Sequence, residues 1–157
     1  MSATRIIETA PLGALIRYTD GRPKPPARFT KKLAAWERSN GVGRLVKKDP
    51  PRVHQTWTAP ASFTLHEGNF SSDGVILVTI MRSHSVDSPL VFEVAEEPTP
   101  GQVRVLLDFG GNTELVHLAE SVTAAELWIT REGYRNARLE IVGEETGGRA
   151  GEADIAA

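Results

Sequence analysis

The chain has 157 residues, 40% of them hydrophobic and 24% charged, with a formal net charge of −2. That length suits one domain able to bury a core without staples. It contains no cysteine, which excludes disulfides, thiolate metal sites and cysteine nucleophiles.

The first 21 residues have no long apolar core, so no signal peptide is expected. The longest apolar run, Val75 to Val78, is too short to span a bilayer. A cytoplasmic protein without a membrane partner is the expectation.

Leu12 to Tyr18 reads as a first strand, closed by the turn signal Asp20-Gly21. Pro23, Pro25 and Pro26 then make an extended, stiff arm, because proline fixes φ and disfavours helix at the residue before it. Thr30 is placed to cap a helix over about 30–40, ended by Gly41. Leu33 and Trp36 share a face of that helix and are expected to pack on a sheet. Lys31 and Lys32 occupy its first turn, where the helix dipole favours anions. Arg44 to Lys48 reads as a strand edge, ended by Asp49-Pro50-Pro51.

From there the pattern is β-rich. Phe63 to His66 alternates apolar and polar. Gly74 to His84 opens with a run, Val75 to Ile80, of buried character. Pro89 to Val94 and Gln102 to Phe109 follow as strands. Gly110-Gly111-Asn112 is a hairpin connection into a return strand, Glu114 to Leu118. Thr123 and Glu126 have capping-box spacing for a second helix, 123–132, with Gly133 at its C′ position and Tyr134 closing back on Ile129. Arg138 to Val142 is a closing strand. Short turns between consecutive strands imply an α+β fold: a mainly antiparallel curved sheet with two short helices. Residues 1–142 form the expected domain, and the small, acidic stretch 143–157 reads as a disordered tail.

Charge divides the chain. Residues 1–60 carry a net +8 and residues 61–157 a net −10. Arg22, Lys24, Arg28, Lys31, Lys32, Arg38, Arg44, Lys47 and Lys48 fall within 27 residues, with Tyr18, Phe29, Trp36 and Trp57 among or beside them. Cations contact phosphates and exposed aromatic rings stack on bases. These nine residues are therefore the candidate surface for nucleic acid or another polyanion, on a non-enzymatic binding protein. No helix-turn-helix, zinc-finger or RNP-type motif accompanies them.

Two other readings compete. One is a protein-interaction module, an inhibitor or regulator docking on an acidic protein, with a homo-oligomer held by the opposite charges of the halves as a variant. The other is a small hydrolase-type enzyme using His66, His84 and His117 with Glu67, Asp73 and Asp87. No compact histidine ligand set, GxSxG or phosphate-loop motif supports an enzyme. No catalytic residue, metal or cofactor is assigned.

Overall fold

A computed structural model describes residues 1–144. The elements are α1 (Ala3–Thr9), β1 (Leu15–Thr19), α2 (Thr30–Ser39), β2 (Gly41–Asp49), β3 (Arg52–Val53), β4 (Thr58–Ala59), β5 (Ser62–Ser72), β6 (Val75–Ser85), β7 (Val91–Glu96), β8 (Val103–Phe109), β9 (Asn112–Ala119), α3 (Val122–Glu132) and β10 (Arg138–Ile141). The fold is α+β with an antiparallel sheet of eight strands that does not close into a barrel. The tail from residue 145 onward lies outside the described residues.

β2 organises the sheet. Far from being an edge, it is paired on both sides. Its first half meets β1, and Lys47 lies opposite Glu114 of β9. Its other side carries β5 from Arg44 to Asp49. The main path runs β10-β8-β9-β2-β1-β7, and the long β5–β6 hairpin branches from β2. Gly110 and Gly111, both with positive φ, join β8 to β9 as the sequence implied. The β5–β6 turn is Asp73-Gly74, also with positive φ at both residues.

The main core gathers Ile16, Tyr18, Leu45, Phe63, Leu65 and Phe92 under α1, which contributes Ala3 and Ile6. A second cluster packs Val103, Val105 and Ala119 against α3 through Ala125. Helix α1 escapes the sequence reading because its seven residues are too few for a periodic signal. Tertiary burial of Ala3 and Ile6 stabilises it instead.

Four local expectations change. In the β6 segment read as buried, Val75, Ile76 and Val78 are open to solvent, Val75 61% and Ile76 56% exposed. The hairpin extends beyond the layer that could cover it. Helix α2 buries no residue, and Phe29 precedes it without a side-chain cap, so Thr30 is its first residue rather than its cap. Its end falls at Asn40, leaving Gly41 to open β2. Helix α3 is capped two residues before the expected Thr123: Ser121 accepts from the Ala124 N–H at 3.1 Å, and the helix starts at Val122. Its other end matches expectation. Gly133 is left-handed, and the Tyr134 N–H returns to the Ile129 carbonyl at 3.2 Å.

Candidate functional sites

The Pro-rich arm and α2 form one surface unit. The Trp36 indole N–H donates to the Arg22 carbonyl at 2.8 Å, and Lys24 Nζ sits 5.8 Å from the Trp36 ring centroid. Trp36 is thus half-buried against the arm, and neither it nor the half-buried Leu33 belongs to the buried core of the sheet. Asn40 fixes the base of the unit: its side chain donates to Asp20 at 2.9 Å and to the Trp36 carbonyl at 2.8 Å. From β6, the Arg82 guanidinium donates to the Arg38 carbonyl.

Six of the nine candidate cations belong to this unit: Arg22, Lys24, Arg28, Lys31, Lys32 and Arg38. Arg22 reaches Asp20 at 3.9 Å. The other five form no ion pair among the described residues. Phe29 is 40% exposed, with the Arg28 guanidinium 4.8 Å and the Lys32 ammonium 5.1 Å from its ring centroid.

Arg44, Lys47 and Lys48 lie on β2 and are engaged elsewhere. Arg44 donates to the Gly13 carbonyl at 2.6 Å. Lys47 pairs with Asp49 at 3.7 Å. Lys48 donates to the Ile7 carbonyl in the last turn of α1 at 2.8 Å, and burial lowers its pKa. Among the flanking aromatics, Tyr18 is buried. Trp57 is half exposed and stacks on His54 with centroids 4.1 Å apart. Among the described ion pairs, Arg17–Glu93, at 3.4 Å and exposed, joins the basic half to the acidic one; the others lie within one half.

The three histidines do not share one site. On β5, Leu65 and Glu67 point to the side of the main core, and His66 between them points to the opposite face, as strand alternation requires. His66 lines a concavity of about 590 Å³ between the β5–β6 hairpin, β9 and α3, and His117 lines it too. His84 is instead buried against Tyr18, Phe63 and Phe92, with its Nε2 unpartnered among the described residues. No three His, Asp or Glu side chains among the described residues are grouped to hold a metal. The hydrolase-type cluster is therefore not assembled as a triad of histidines.

Sequence reading missed the aromatic tier on the α3 side of that concavity. His117 and Trp128 stack with centroids 4.5 Å apart and planes 2° from parallel. Tyr134 stacks on Trp128 at 5.2 Å and 11°. The capping signals at Gly133 and Tyr134 were the available clue, since they turn Tyr134 back along the helix.

The fold and these surfaces define an α+β protein with an open antiparallel sheet, a cationic arm-and-helix unit on one side and an aromatic-walled concavity. Among the described residues, no helix is long and apolar enough to cross a membrane. The chain belongs to the family described as uncharacterised conserved protein UCP036055, whose model matches residues 1–146. No curated protein and no solved structure matches it.

Proposed function

We propose that the protein is a cytoplasmic, non-enzymatic binding protein whose arm and α2 engage a polyanion, with nucleic acid as the preferred partner. One observation carries the reading. Lys24, Arg28, Lys31, Lys32 and Arg38 have no carboxylate partner among the described residues, and α2 buries none of its residues. A helix held outside the core, with cations left unpaired, suits contact with another molecule. The lysines in its first turn, unfavourable for the isolated helix by about 0.3–1 kcal/mol each, gain a partner when phosphates approach. Phe29, exposed between two cations, adds a ring on which a base can stack. Arg44, Lys47 and Lys48 drop out of the proposed contact set because their nitrogens serve the fold.

Fluorescence anisotropy of labelled single- and double-stranded oligonucleotides, at about 50 and 200 mM salt, tests this. Several phosphate contacts predict an affinity loss of orders of magnitude between those salts. Replacing Lys24, Arg28, Lys31 and Lys32 together by Ala should remove most of the affinity and flatten the salt slope. Binding unchanged in that variant would sink the assignment. If the parent protein left oligonucleotides unbound at low salt and instead gained mass in a salt-dependent way, the opposite charges of its halves would be meeting between copies.

A further inference from the structure

Among the described residues the main sheet ends in three strands paired on one side only, β10, β7 and β6. Two of these edges are guarded. Along β7, the Met1 nitrogen donates to the Phe92 carbonyl at 2.7 Å, and the Phe92 N–H returns to the Met1 carbonyl at 2.8 Å. Glu93 and Glu96 add charge to the same strand. Strand β10 is four residues long and carries Arg138 and Glu140. Covering backbone, charge and short length are the ordinary defences of an edge strand.

The β6 edge has none of them. Its 11 residues pair with β5 alone among the described residues. From Val75 to Met81 the sequence holds no charge and no proline. Val75, Ile76, Val78 and Met81 are each about half exposed or more. The outward N–H and C=O groups of this strand are an open template for a further strand.

The pattern along β6 selects the partner. Two copies of one strand that meet antiparallel about a twofold axis set one residue against itself and pair the rest symmetrically. With Val78 at the axis, Val75 lies opposite Met81 and Ile76 opposite Ile80 of the second copy. The two Arg82 residues then stand at opposite ends of the paired strands. An axis at Leu77 sets Asp73 against Met81, and an axis at Thr79 sets Arg82 against Ile76. We propose that the protein forms a homodimer in which two β6 strands pair antiparallel about Val78, joining both β5–β6 hairpins into one four-stranded extension. The contact is isologous and occupies both open edges, so it closes at two copies. Apolar pairs and backbone hydrogen bonds hold it, which separates it from any association through the opposite charges of the halves.

Sedimentation velocity of the full chain, over an about hundredfold range of concentration, reads the assembly. A monomer–dimer equilibrium without larger species is expected. It should persist in about 1 M salt, where the screening length falls to about 3 Å. Because residue 78 meets itself, Val78→Lys sets two like charges opposite each other, and so does Val78→Glu. Each variant alone should be monomeric at concentrations where the parent is a dimer. An equimolar mixture of the two should recover the dimer. Thermal melts at a concentration where the parent is monomeric check that both variants fold, as the exposure of Val78 implies. A parent that stays monomeric, an open series of larger species, loss of the dimer in salt, a dimer of either variant alone, or a mixture that stays monomeric would each overturn the proposal.

Discussion

The Tyr18 hydroxyl crosses β2 to donate a hydrogen bond to the Glu67 carboxylate, linking β1 to β5 over the strand that separates them. Arg82 holds the same carboxylate from β6 at 3.6 Å. Burial, and then the hydrogen bond to Glu67, push the Tyr18 pKa well above its ordinary value. The crossing depends on two missing side chains. A Cβ at Gly41 would stand 2.6 Å from the Tyr18 hydroxyl oxygen, and one at Gly43 would stand 2.8 Å from the Leu65 Cβ. The Gly41-Val42-Gly43 segment, superficially like a phosphate loop, is a strand whose glycines make room for this bridge.

Gly41→Ala should therefore destabilise the fold, because neither the phenol nor the neighbouring backbone can yield freely. Overpacking of this kind costs about 1–3 kcal/mol. A denaturant titration would read the loss as a lower midpoint with an unchanged slope. A midpoint equal to the parent's would show that Tyr18 shifts aside without cost.

Acid should weaken the protein through His84. Desolvation by burial lowers its pKa below the ordinary 6.5; Arg82 adds to the shift and Glu67 opposes it. Tyr18, Phe63 and Phe92 surround the rest of the ring. The unfolded chain thus takes up a proton before the folded one does. Stability from this group is complete above about pH 6.5 and is lost as pH falls toward and through the lowered folded value. His117 is shifted the same way by burial and by Arg131. His84→Phe should accordingly lose less stability than the parent between pH 7.5 and 5.5 while keeping the His117 share. Equal losses in the two proteins, measured by urea unfolding, would remove His84 from the account.

Lys48 should matter for folding and not for polyanion binding. Its ammonium meets a carbonyl in the last turn of α1, where a helix leaves acceptors unpaired and favours cations. Lys48→Met keeps most of the apolar stem, one atom shorter, and removes that bond, at a cost of about 1 kcal/mol. Oligonucleotide affinity should stay at the parent value. A stability equal to the parent's, combined with weakened binding, would return Lys48 to the contact set.

Alternating strands, the Gly110-Gly111 turn and the left-handed Gly133 are local devices. The α+β class, the antiparallel sheet and the end of α3 followed from the sequence by itself for that reason. The clustering of cations before residue 60 was equally legible, since charge needs no fold to be counted. Which of those cations are free was decided by tertiary structure. Lys48 and Arg44 are spent on carbonyls of Ile7 and Gly13, partners 41 and 31 residues away. Distance along the chain also hid the aromatic-walled concavity, where β5, β6, β9 and α3 converge. The burial of β6 could not be read from its apolar run, because burial is set by what packs over a strand, and the β5–β6 hairpin extends beyond its cover.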